Sequence, residues 1–155
     1  MILILDIDGT LADASHREHF AEDEDWDSFF ELEAVAEDEP IEEAQQALPD
    51  LMDLGYEVLF ITGRPERTRD VTVQWLETHF DVSPSKDELY MRPDGDTSHG
   101  SDYKRNIVEG LDDEDMIIID DDPYILSMFS PEFGMALRAP EAWDVLLNEV
   151  PDDME

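Results

Sequence analysis

Five apolar residues open the chain without a break, Met1-Ile2-Leu3-Ile4-Leu5, and run into Asp6. Glu57-Val58-Leu59-Phe60-Ile61, Leu89-Tyr90-Met91 and Met116-Ile117-Ile118-Ile119 have the same character. Short apolar blocks bounded by turn or polar residues predict strands buried on both faces, the kind found in parallel sheets. Between them the apolar spacing becomes helical. Helices are predicted over residues 41–54, 65–79, 102–110, 124–129 and 141–148, with a fifth strand at 134–137. Pro40 supplies a proline start for the first helix, Pro49 is expected to break or kink it, and Gly55 to end it. Pro65 is expected to open the second, with Val71, Trp75 and Leu76 on its inner face. Strands alternating with helices predict an α/β fold, a doubly wound (Rossmann-like) parallel sheet of about five strands.

One stretch departs from this alternation. Residues 14–40 are acidic yet carry Trp26, Phe29, Phe30 and Leu32, too apolar for a free linker. They are expected to form one or two short helices packed over the end of the sheet, a rudimentary cap. Trp26, Phe29 and Phe30 are read as cap core in preference to a base-stacking platform. The chain is expected to be a single domain over 1–155, with a loose tail at 151–155.

Charge changes the picture of the surroundings more than that of the fold. Forty-three acidic residues face nine basic ones, for a formal net charge of −34. Disorder does not fit, because 41% of the residues are apolar and fall into the clean blocks above. An acidic surface suited to molar salt does fit, and the two lysines, Lys86 and Lys104, agree with a surface that has shed lysine. The absence of cysteine excludes disulfides and thiolate metal sites. The opening apolar run is too short for a signal peptide and no segment approaches a membrane span, so a cytoplasmic, high-salt setting with no membrane partner is expected. Monomer is the simplest oligomeric state to assume.

The candidate chemistry sits where strands end. Asp6 and Asp8 are two apart in extended chain, so both side chains point the same way off a buried strand. Two carboxylates placed so need a cation between them or a reaction that uses them, and Mg²⁺ with oxygen ligands fits. Thr62-Gly63-Arg64 follows the second strand, and Asp120-Asp121-Asp122 follows the fourth. In a parallel sheet these sites share one edge. A helix–loop–helix calcium site would not follow a buried strand.

Asp6-Ile7-Asp8-Gly9-Thr10 after an N-terminal strand, Thr62, Lys104 and Asp120-Asp121 together resemble the four motifs of the haloacid dehalogenase superfamily. The resemblance implies Asp6 as nucleophile, forming an aspartyl-phosphate, and Asp8 as the acid that protonates the leaving oxygen and then activates water. It implies Thr62 as a donor to the phosphoryl group and Lys104 as the cation that offsets its charge. Mg²⁺ would be held by Asp6, the Asp8 carbonyl, and Asp120 or Asp121.

Further features are similar to the 3′-phosphatase domain of phage-type polynucleotide kinases: Ser15-His16-Arg17, Thr62-Gly63-Arg64-Pro65-Glu66, and Leu89-Tyr90-Met91-Arg92-Pro93 followed by Gly95-Asp96. By this resemblance Gly9, Thr10, Arg17, Gly63, Arg64 and Arg92 are candidates for binding phosphate or substrate. Gly100 stands where that family carries an aspartate, and Asp122 where it carries arginine. The kinase half has no counterpart, since no Gly-x₄-Gly-Lys-Ser/Thr loop occurs.

The expected function is therefore a Mg²⁺-dependent phosphomonoesterase, its partners being nucleic-acid ends or nucleotides. A small-metabolite phosphatase and a non-catalytic binding module are the alternatives. Arg17 and Arg64 could instead be surface ion-pair residues of little weight. His16, His19, His79 and His99 lack ligand spacing and read as ordinary, and Asp112, Asp113 and Asp122 as solvated surface.

Overall fold

A computed structural model describes residues 1–96, 100–111, 116–129, 135–139 and 141–148. Strand β1, Ile2–Leu5, is followed by a tight turn and a two-residue strand β2, Ala12–Asp13. A 3₁₀ turn at Ser15–Arg17 leads into three short helices: α1 at Glu18–Glu22, α2 at Trp26–Phe29 and α3 at Leu32–Ala36. The chain returns through β3, Glu39–Pro40, into helix α4, Glu42–Asp53. Strand β4, Glu57–Pro65, a 3₁₀ turn at Glu66–Thr68, and helix α5, Arg69–Phe80, come next. The rest alternates as β5 Leu89–Arg92, α6 Gly100–Gly110, β6 Met116–Asp120, α7 Pro123–Phe129, β7 Met135–Arg138 and α8 Glu141–Asn148.

The five long strands form one parallel sheet in the order β5-β4-β1-β6-β7, and β2 pairs antiparallel with β3. The expected α/β architecture is present. In β1, Leu3 is in register with Val58 and Ile117, and Leu5 with Phe60 and Ile119. Alternate residues of the strands feed two cores. Leu3 and Leu5 pack with Leu48 and Leu51 of α4, Trp75 and Leu76 of α5, and Trp143 of α8. Ile4 and Ile118 pack on the other face with Tyr103 and Val108 of α6 and Ile125 of α7. Fully burying one such Leu or Ile is worth about 1.5–3 kcal/mol, which explains the unbroken apolar runs. The chain moves outward from β1 through β4 to β5, then jumps back to β6. That reversal opens a crevice beyond the carboxyl ends of β1 and β6, where ligands of such sheets bind.

Several boundaries differ from expectation. Pro40 belongs to β3 and does not start α4. The β2–β3 ribbon and the bond from the Ile41 amide to the Leu11 carbonyl, at 2.8 Å, pin the base of the cap. Pro49 lies inside α4 without ending it. It is on the exposed face, where the carbonyl its missing N–H would have bonded can be hydrated. β4 continues through Thr62-Gly63-Arg64 to Pro65, because Pro65 disfavours a helical Arg64 and Pro65 itself is extended at ψ 154°. Helix α5 therefore starts at Arg69, and Val73 rather than Val71 meets the core. The cap holds three helices where one or two were expected. Trp26 is 51% exposed and so is not cap core, whereas Phe29 and Phe30 are partly buried. Gly134, His99, Asp112, Asp113 and the expected tail at 151–155 lie outside the described residues. Among the described residues no helix is long and apolar enough to cross a membrane.

Among the described residues, carboxylates are buried at Asp6, Asp38 and Asp120, and the other acidic side chains reach the surface. At about 0.01 M salt the Debye length is near 30 Å and these charges repel across the molecule; at about 1 M it is near 3 Å. The melting temperature is therefore expected to rise steeply from dilute buffer to molar KCl. Thermal melting across a KCl series checks this, and a temperature flat in salt contradicts it.

Candidate active site

Asp6 is the first residue past β1, and its amide donates to the Ile119 carbonyl at 3.1 Å. That bond holds it level with Asp120, the last residue of β6. Gly9 then reverses the chain at φ +85°, a left-handed conformation that favours glycine. A Cβ at Gly9 would collide with the Asp121 carboxylate, so glycine is needed for space as well. The turn closes with the Gly9 amide on the Ala12 carbonyl at 2.8 Å.

The two carboxylates of Asp6-Ile7-Asp8 have different partners. Asp6 Oδ1 accepts from Lys104 Nζ at 2.9 Å, and the same ammonium reaches Asp120 Oδ2 at 2.7 Å. Burial alone would lower the Lys104 pKa, but Asp6 and Asp120 outweigh it and hold the ammonium charged. Burial raises the Asp6 pKa well above the usual range, Asp120 and Asp8 add to the rise, and Lys104 opposes it. Asp121, pushed up to about 6 by burial and Asp120, completes the group. One oxygen each from Asp6, Asp120 and Asp121 lie within 4.8 Å of one another. Three carboxylates around one ammonium leave a deficit of positive charge. These hard oxygen donors, with a glycine clearing room for Asp121, fit a Mg²⁺-type cation.

Asp8 faces a different set. Its Oδ1 accepts from Arg17 Nη2 at 2.9 Å and from Arg64 Nη2 at 2.7 Å. Its Oδ2 has one long bond, from Arg64 Nε at 3.3 Å. Burial pushes the Asp8 pKa up, yet Arg64 and then Arg17 prevail and it lies below the usual carboxylate range. Both arginines are fully buried and share a second carboxylate, Asp38, 2% exposed. Arg17 Nε and Nη2 donate to it at 2.9 and 2.7 Å, and Arg64 Nη2 at 2.9 Å. Two guanidiniums and two carboxylates make a neutral buried group. Arg17 Nη1 also donates to the Phe29 carbonyl at 2.9 Å, and Arg64 Nη1 to Thr72 Oγ1 at 3.1 Å. Trp75 Nε1 holds the Asp38 carbonyl at 2.8 Å, and His16 Nε2 lies 2.7 Å from Asp38 Oδ1.

The structure thus brings Asp6, Lys104, Asp120 and Asp121 together, and Asp8, Arg17 and Arg64 beside them. Thr62 is buried within the neighbouring strand β4, three residues before its end. The Arg64 amide donates to its Oγ1 at 3.2 Å, which leaves the hydroxyl hydrogen free to donate. Thr10 Oγ1 is buried with no hydrogen-bond partner, as an atom awaiting a ligand would be. Gly63 lies beside Arg92, whose Nη2 would be 3.8 Å from a Cβ there. Arg92 is partly buried and sits over the Tyr103 ring at 5.7 Å. The side chain of Asp8 turns to the arginines and not to the cation group. The Asp122 side chain is exposed, and its amide donates to Asp120 Oδ1 at 3.0 Å.

Asp38 was missed in the sequence. It stands in Glu37-Asp38-Glu39, which reads like any solvated acidic run. Charge counting was the available signal: two arginines at motif positions need two carboxylates, and Asp8 is one.

Residues 1–129 match the family model described as the polynucleotide kinase PNKP phosphatase domain. The chain belongs to that family. It is a PNKP-type phosphatase domain of the haloacid dehalogenase superfamily. Among solved structures, a chain of the Pnkp1/Rnl/Hen1 RNA repair complex is similar with a TM-score of 0.71 at 19% identity, over 89% of this chain and 42% of that one. The class C acid phosphatase from Bacillus anthracis gives 0.57 at 18% identity, over 97% and 72%. A phosphoserine phosphatase in its apo form gives 0.54 at 16%, over 88% and 84%. At these identities the likeness is one of fold. The PNKP-type domain spans under half the length of the RNA-repair chain. A search of curated protein sequences finds no significant match.

Removing one member of a buried, hydrogen-bonded charge group costs about 3–5 kcal/mol. Asp38→Ala is expected to lose that much stability in urea unfolding at about 1 M KCl. The exposed Asp53→Ala should stay within about 0.5 kcal/mol of the parent. A loss below about 1 kcal/mol at Asp38 would contradict the assigned role of the buried group.

Proposed function

We propose that the domain hydrolyses phosphomonoesters with Mg²⁺ bound, through an aspartyl-phosphate on Asp6, and that its substrate is a nucleic-acid 3′-phosphate or a nucleotide. The observation that carries this is the unequal treatment of the two carboxylates. Asp6 sits with Lys104 and a cation-deficient cluster, while Asp8 is held apart by two arginines.

Asp6, Asp120 and Asp121 would hold Mg²⁺, with the Asp8 carbonyl as the resemblance implies. When bound, the ion supplies charge that keeps Asp6 ionised and offsets the phosphoryl oxygens. Asp6, through the oxygen not bonded to Lys104, attacks phosphorus. The Asp6 O–P bond forms as the bond to the leaving oxygen breaks. Asp8 gives that oxygen its proton. In the free protein Asp8 is ionised, and the approach of a phosphate dianion raises its pKa towards the protonated form. Oδ2 is the oxygen for this exchange, because Oδ1 is committed to both arginines. Asp8 then takes a proton from water as that water attacks phosphorus, which releases phosphate and restores Asp6. Lys104 and the Thr62 hydroxyl offset the phosphoryl charge. Gly9, Thr10 and Gly63 line the approach. Arg92 is a further cation for substrate, while Arg17 and Arg64 position Asp8.

Asp6→Asn is expected to lower turnover by at least about 1,000-fold while the melting temperature stays near that of the parent. Exhaustive chelation should abolish activity and Mg²⁺ restore it. Near-parental turnover in Asp6→Asn overturns the mechanism. A panel of 3′-phosphorylated oligonucleotides, nucleoside monophosphates and sugar phosphates reads the substrate class. Higher kcat/KM on the sugar phosphates would favour the small-metabolite reading.

A further inference from the structure

Of the three tryptophans, Trp75 and Trp143 are buried at 3% and 2%, whereas Trp26 is 51% exposed. A half-exposed indole on a four-residue helix is not explained by the cap's own packing. Its other contacts lead straight to the site. Trp26 meets Phe29 edge-on at 5.7 Å and lies stacked with Phe30 at 6.3 Å. The Phe29 ring in turn lies 4.4 Å under the Arg17 guanidinium, which holds Asp8. An unbroken line of contacts therefore joins an exposed aromatic face to the proton-transfer carboxylate.

Cations flank the same mouth. The Arg67 side chain, 44% exposed, lies 3.9 Å from Asp27 of α2 and 3.7 Å from Asp94 beyond β5, so it bridges cap and sheet edge. Arg92 lies beside Gly63 with its Nε buried and unbonded. Residues 65–92 hold four of the nine basic residues but six of the 43 acidic ones. That segment has a net charge of −2 in a molecule of charge −34. Long-range attraction cannot bring a polyanion to such a protein, and molar salt would screen it anyway. Affinity must come from short-range contacts, and a base on an aromatic face is one that salt does not screen out.

We propose that Trp26 is a base-stacking platform for the single-stranded nucleotides preceding a 3′-phosphate, with Arg67 and Arg92 on the adjoining backbone phosphates. This rests on the phosphatase reading above and narrows its substrate to a polynucleotide end.

The experiment uses the whole chain in about 1 M KCl. Tryptophan fluorescence is titrated with a pentathymidylate bearing a 3′-hydroxyl, which cannot be hydrolysed. Trp75 and Trp143 are buried, so saturable quenching reports Trp26. In parallel, KM is compared for a 3′-phosphorylated oligonucleotide and a small aryl phosphate. Loss of one stacked base corresponds to roughly 5- to 150-fold. Trp26→Leu should raise the oligonucleotide KM by that factor relative to the aryl phosphate KM, and Trp26→Phe should restore it. Arg67→Gln should raise it more modestly. No quenching, with equal KM ratios in parent and Trp26→Leu, overturns the platform even if phosphatase activity is strong. Quenching without hydrolysis of any phosphomonoester supports the platform and overturns the phosphatase reading instead.

Discussion

Two buried arginines shared between Asp8 and Asp38 are the constraint on which the site depends. Arg17 comes from the start of the cap, Asp38 from its end, Arg64 from β4 and Asp8 from the turn after β1. One neutral group thus ties the insertion to the sheet at both of its ends. Such a group is a costly thing to bury, and its net contribution to stability is small. What it supplies is a fixed place for one carboxylate. Oδ1 of Asp8 is held by both guanidiniums while Oδ2 is left with a single long bond. The cap is then a device for orienting Asp8 as much as a cover for the sheet.

The second consequence is a division of charge between carboxylates two residues apart. Paired with arginines, Asp8 is pulled below the usual pKa range. Crowded with Asp120 and Asp121 around one lysine, Asp6 is pushed above it. The first group is balanced and the second is short of positive charge. In the proposed mechanism both shifts must be reversed: a hard cation in the second group would ionise Asp6 for attack, and a phosphate dianion would raise Asp8 towards its protonated form. Most of the −34 net charge is a separate matter: among the described residues it is carried by surface carboxylates outside both groups.

Strand identity and strand-end chemistry were legible in the sequence because a strand segment buried on two faces must be apolar, and Ile2–Leu5, Val58–Ile61 and Met116–Ile119 are. The parallel topology then forces Asp6, Thr62 and Asp120 to one edge. What remained hidden followed from contacts between distant residues. Nothing local marks Asp38, since burial and not spacing separates it from Glu37 and Glu39. Arg17 and Arg64 read as phosphate ligands from their positions, and the structure turns their guanidiniums to carboxylates. Trp26 read as core because aromatic residues usually are, yet it is 51% exposed while Phe29 on the same helix is partly buried. Pro49, expected to break or kink α4, sits on its exposed face and the helix continues, whereas Pro65 keeps β4 extended and delays α5 to Arg69.

The central claim is that Asp6 takes the phosphoryl group while Arg17 and Arg64 hold Asp8 beside it. A crystal structure with Mg²⁺ and beryllofluoride, which mimics a phosphoryl group on a carboxylate, tests it most directly. The account predicts beryllium bonded to Asp6, both arginines still on Asp8 and Asp38, and Asp8 Oδ2 facing the adduct. An adduct on Asp8, or either guanidinium withdrawn from Asp38 to grip the fluorides, would contradict it.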